Sequence, residues 1–148
     1  MTQPAPPLQA HLVLSSRFEN IELAERTLVD LCAQAGCVGE DEYWLVTALR
    51  EALANAVRHG NREDPKRRVR VDFRIDHDAV QIKVADQGEG FDPEQVPDPT
   101  APENLLRPSG RGIFYMRQFM NRVEFNPSES GGTEVLMVRH LQSNARSS

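Results

Sequence analysis

Apolar and polar positions change period several times along the chain, and each change marks an element. His11 to Ser15 is short and apolar enough for a strand. From Asn20 the period lengthens: Ile21, Leu23, Ala24, Leu28, Leu31 and Cys32 recur at three- and four-residue spacing, the stripe of an amphipathic helix ending near Gly36. A second helix is predicted from about Glu40 to His59, with Leu45, Leu49, Ala52, Leu53 and Ala56 as its buried stripe and Gly60-Asn61 as its stop. Val69 to Ile75 alternates strictly between apolar and charged residues, and Val80 to Val84 repeats the alternation after Asp76-His77-Asp78-Ala79. That is a hairpin with one dry and one wet face.

After Asp86 the periodicity disappears until Gly112, and Pro93, Pro97, Pro99, Pro102 and Pro108 fall in the gap. A loop this long inside a compact domain is usually functional or disordered. Ile113, Phe114, Met116, Arg117 and Met120 then predict a short helix, Val123 to Phe125 a strand, Ser130-Gly131-Gly132 a turn and Val135 to Leu141 a last strand. Strands and helices do not alternate one to one. The expected fold class is therefore α+β: a mixed, mostly antiparallel sheet covered by helices on one face.

Composition narrows the class. At 148 residues, 39% hydrophobic and 26% charged, the chain is sized and composed as one globular domain. Residues 1–9 hold three of the ten prolines and read as a flexible segment, as does the polar tail over 142–148. No window approaches the roughly 18 apolar residues of a membrane span, and no basic-then-apolar leader opens the chain, so a cytoplasmic setting is expected. A net charge of −5 argues against direct nucleic-acid binding. The one basic run, Lys66-Arg67-Arg68 with Arg70, reads as a solvated turn, and Cys32 and Cys37 read as packing residues because no further ligand stands at zinc spacing.

Three segments carry candidate chemistry. Glu51, Asn55 and His59 stand at i, i+4 and i+8 of the second helix, along the edge of its buried stripe. Asp86-Gln87-Gly88-Glu89-Gly90 sits where a strand gives way to the long loop; a carboxylate there can accept a hydrogen bond from an exocyclic amine, and Gly88 and Gly90 let backbone approach a flat ligand. Ser109-Gly110-Arg111-Gly112-Ile113 opens the predicted short helix, where free N–H groups and a guanidinium suit phosphate. Each alone also fits a bland reading: helix amphipathicity, an ordinary turn, a loop-to-helix junction.

Taken together they resemble the histidine-kinase-like (GHKL, Bergerat-fold) ATPases, and among them the small anti-sigma-factor serine/threonine kinases, over about residues 10–141. Glu51-x-x-x-Asn55-x-x-x-His59 matches the family's N box, Asp86-x-Gly88-x-Gly90 its first glycine box, Gly110-Arg111-Gly112 its second, and Gly132-Thr133 the start of its last strand. The resemblance implies a two-layer fold whose lid over the ATP is the segment from Phe91 to Ser109. It implies ATP and Mg²⁺ as cofactors, Asn55 as the metal ligand, Asp86 and Thr133 at the adenine and Glu51 as general base. His59 would lie toward the phosphates, with Ser109, Gly110, Arg111, Gly112 and Ile113 around them; Arg107 is a second candidate for the γ-phosphate. The implied partners are a small antagonist domain phosphorylated on serine and a sigma factor, and the chain itself is implied to pair as a homodimer. Two alternatives stay open: a nucleotide-binding module that sequesters a partner without phosphotransfer, and a switch kinase acting on a scaffold or phosphatase.

Overall fold

The computed structural model describes residues 6–88, 114, 116–129 and 131–141. Strand β1 (Leu8–Ser15) leads into helix α1 (Glu19–Ala35) and helix α2 (Glu40–Asn55). A hairpin of β2 (Arg68–Ile75) and β3 (Ala79–Ala85) follows, then a short helical segment over 116–119, β4 (Arg122–Pro127) and β5 (Thr133–His140). The strands form one sheet in the order β1-β2-β3-β5-β4, and all four pairings are antiparallel. The expected α+β class and element order hold, but among the described residues no parallel pair makes the sheet mixed. β1 also begins at Leu8, inside the segment expected to be flexible, because Leu8 and Gln9 pair with Ile75 and Arg74.

Alternation places the core. Register aligns Leu12, Val71, Val84, Val135 and Phe125 in one cross-strand row, and Ala10, Phe73, Ile82, Met137 and Val123 in the next. The buried faces of α1 (Ala24, Leu28, Leu31, Cys32) and α2 (Leu45, Leu49, Ala52, Leu53) close over these rows. The opposite face carries charge instead: Arg70 lies 3.4 Å from Asp72 and 3.2 Å from Glu134, and His11 lies 2.6 Å from Asp72. A one-residue slip would exchange the two faces, so burial itself holds the register.

Helix ends follow local chemistry. α1 stops at Gly36, which is left-handed at φ 75°; its N–H and that of Cys37 donate to the carbonyls of Ala33 and Cys32. In this arrangement the residues at each end of the cap touch, and here they are the two buried cysteines, which pack as expected. Their thiols contact one another, and that contact together with burial pushes the Cys32 pKa far up. Glu40, Asp41 and Glu42 occupy the first turn of α2, where the helix dipole favours negative charge. Among the described residues, no helix is long and apolar enough to cross a membrane.

Candidate nucleotide-binding site

The α-helical part of α2 ends at Asn55, short of the predicted His59. Residues Ala56–Gly60 form a π-helical turn instead, with the N–H of Asn61 donating to the carbonyl of Ala56 at 2.7 Å. The wider turn changes the angular step, so the stripe expected through Glu51, Asn55 and His59 breaks at its third member. His59 is exposed and lines neither cavity described below. Partial desolvation of its imidazole, with the Arg58 guanidinium nearby, lowers its pKa.

At the C-terminal end of α2, beside the end of β3 and the start of β5, lies a cavity open to solvent. Its walls are mostly apolar: Ala52, Ala56, Val84, Met116, Phe125 and Val135. Asn55, Asp86 and Thr133 supply the polar groups, so three of the sequence-predicted residues meet here from three elements. An apolar slot with few convergent polar groups suits a flat heteroaromatic ligand.

Asp86 is buried at 4% exposure. Its Oδ1 accepts hydrogen bonds from the N–H groups of Gly88 (3.0 Å) and Thr133 (3.1 Å), and its own N–H donates to the Thr133 carbonyl at 3.0 Å. Burial raises the carboxyl pKa, and the two N–H bonds oppose that rise. Glycine makes the close packing feasible. A Cβ on Gly60 or Gly132 would overlap the Asp86 carboxylate, and one on Gly88 would overlap the Gly60 carbonyl. Gly132 is also left-handed at φ 77°.

Asn55 brings an amide whose Nδ2 is buried without a hydrogen-bond partner among the described residues. An orphaned donor of this kind is costly unless something fills the cavity, and a phosphate oxygen would satisfy it while the amide oxygen faces a cation. The residues present therefore fit a metal-bound nucleotide.

Glu51 stands one helical turn earlier and opens into a neighbouring cavity, also open to solvent, with Trp44, Thr47, Ala48, Met116 and Phe119. Met116 is common to both cavities. The Trp44 and Phe119 rings stack at 3.4 Å between centroids, 7° from parallel. Burial raises the Glu51 carboxyl pKa, against the opposing pull of Arg50 and Arg58. Half-buried, basic and beside the nucleotide slot, this carboxylate can take a proton from a group entering through the second cavity.

Gly90, Arg107, Ser109, Gly110, Arg111, Gly112 and Ile113, with the lid from Phe91 to Ser109, lie outside the described residues. Sequence reading missed Gly60 as a contact of Asp86, and missed the apolar walls supplied by Met116 and Phe125. It also missed a clamp in which Arg139 pairs with Asp41 at 2.8 Å and donates to the Phe119 carbonyl, tying α2, the short helical segment and β5 together.

Residues 14–139 match the histidine kinase-like ATPase domain. The chain belongs to that family. It is 32% identical over 137 residues to an anti-sigma F factor of Geobacillus kaustophilus, covering 90% of this chain and 92% of the relative. It is 29% identical over 129 residues to the serine-protein kinase RsbW of Oceanobacillus iheyensis, covering 83% and 80%. Its fold matches a crystal structure of the RsbU and RsbW domains of Rv1364c from Mycobacterium tuberculosis, with a TM-score of 0.65, 21% identity and 93% of this chain covered. The chain spans about a third of that larger one, at 33%. As a histidine kinase-like ATPase domain, this protein is built to use ATP.

Proposed function

We propose that this ATPase domain, over residues 10–141, is a cytoplasmic protein serine/threonine kinase of the anti-sigma type. Its client is a small antagonist domain bearing the acceptor hydroxyl, and phosphorylation of that domain controls whether a sigma factor is held or released. The observation that carries the reading is the pair of adjoining cavities: Asp86, Thr133 and Asn55 line one, and Glu51 lines the other. The names of the similar proteins, an anti-sigma F factor and a serine-protein kinase, support a sigma factor as partner and serine as acceptor.

Asp86 accepts the exocyclic amine of adenine, Thr133 flanks the same ring, and Asn55 would hold Mg²⁺ through its amide oxygen. When bound, the ion would neutralise phosphate charge. Gly88 and Gly90 let the backbone approach the base, and the segment Ser109 to Ile113, with Arg111, supplies the phosphate contacts; His59, exposed and outside the slot, takes no part. The acceptor seryl oxygen attacks the γ-phosphorus, its proton passes to Glu51, the bond to the β,γ-bridging oxygen breaks and ADP leaves. A module that only sequesters its partner would have no use for a half-buried carboxylate beside the slot. For that reason transfer is favoured over sequestration alone.

The test is incubation of the chain with γ-labelled ATP and a candidate antagonist domain. Label is expected on a serine or threonine of that domain, and the expected loss for Glu51→Ala is about 10² to 10⁴ in rate with nucleotide affinity nearly unchanged. Full transfer by Glu51→Ala would remove this residue from the mechanism, and label on a scaffold or phosphatase alone would favour the switch-kinase reading.

A further inference from the structure

Asn61 plays no part in the chemistry above, yet it is fully buried, at 0% exposure, next to the site. Its Oδ1 accepts the N–H of Gln87 at 2.7 Å, and its Nδ2 donates to the carbonyl of Arg68 at 3.0 Å. Gln87 returns the tie, its Oε1 accepting the N–H of Arg68 at 2.6 Å. One amide thus binds the residue that follows Asp86 to the first residue of β2. Meanwhile the Asn61 N–H closes the π-helical turn whose last residue, Gly60, packs on the Asp86 carboxylate.

We propose that Asn61 is a positioning residue for adenine recognition: it locks the Asp86–Gly88 corner onto the π-helical turn, so that the carboxylate is held where the exocyclic amine of the base arrives. This rests on the reading of Asp86 as the adenine acceptor. A carboxamide is suited to the task because it offers an acceptor and a donor on one rigid plane, whereas a carboxylate lacks the donor and a hydroxyl cannot span both partners. Buried, with both its oxygen and its nitrogen hydrogen-bonded, such a group defines one geometry for the loop it holds.

Calorimetry with ATP and with inosine triphosphate, which carries a carbonyl in place of the amine, tests it on the full chain. The wild type is expected to prefer ATP by about tenfold or more, the preference that a charge-assisted hydrogen bond supplies. In Asn61→Ala the Kd for ATP is expected to rise by about that factor while the Kd for inosine triphosphate moves less than about twofold, so the preference collapses. Asn61→Ser is measured alongside and decides the matter if the alanine variant does not fold. A merely structural role would weaken both nucleotides equally; that result, or an unchanged preference, overturns the proposal. Asp86→Asn separates the underlying reading: if the wild type shows no preference, or Asp86→Asn keeps it, the adenine assignment itself fails, whatever Asn61 does.

Discussion

Asp86 is a carboxylate in an apolar slot, with two backbone N–H groups on one of its oxygens. Its raised pKa means that the folded chain holds this proton more tightly than the unfolded chain does. The ionised side chain therefore costs stability: acid favours the nucleotide-free fold at this position, and the advantage is lost as pH rises through the folded value. Asp86→Asn keeps the shape and an acceptor for both N–H groups while removing the buried charge. At neutral pH the free variant is expected to melt above wild type, with the gap closing in acid. Its ATP affinity should nevertheless fall by about 1.5–3 kcal/mol. A melting curve and a titration check the two halves separately. Glu51 follows the same logic in the reaction. Because burial raises its pKa, the acid limb of the transfer rate should lie above the ordinary glutamate range, with activity growing as pH rises and Glu51 ionises.

At the scale of elements, the site depends on how α2 ends and how β5 begins. Gly132→Ala would drive a methyl into the Asp86 carboxylate and force a left-handed φ on alanine. A loss of about 1–3 kcal/mol in stability is expected, together with weakened ATP binding, readable by denaturant titration and calorimetry. Every one of these elements was visible in the chain's periodicity, since a hairpin that alternates strictly and helices with apolar stripes are local patterns. Asp86 and Asn55 stood out as candidates in their own segments, and Thr133 only through the family resemblance. What stayed hidden was non-local. The π-helical turn depends on Asn61 finding partners in residues 68 and 87, and Gly60-Asn61 in isolation reads only as a stop. His59 was placed on a stripe that assumes an unbroken α-helix, and one inserted residue per turn removes it. Met116 and Phe125 reach the slot only through the sheet order, which no single-segment pattern encodes.

Across the whole molecule, the two layers are pinned by Asp41 and Arg139, whose side chains are 9% and 13% exposed. Truncating one partner leaves the other charge buried. Asp41→Ala is expected to lower stability by about 3–5 kcal/mol in chemical denaturation, whereas replacing both residues with well-packed apolar side chains should come close to neutral. The exposed pairs on the other face of the sheet, such as His11 with Asp72, should matter far less, with about 0–1 kcal/mol each. Sheet order has a consequence for synthesis. β5 comes last along the described chain yet inserts between β3 and β4, bringing Thr133 and Val135 to the slot. A nascent polypeptide still tethered to the ribosome through this segment can pair β1, β2 and β3, but it has no complete slot to close. Nucleotide capture thus waits for release of the final strand, and half-made copies cannot compete with finished ones for ATP.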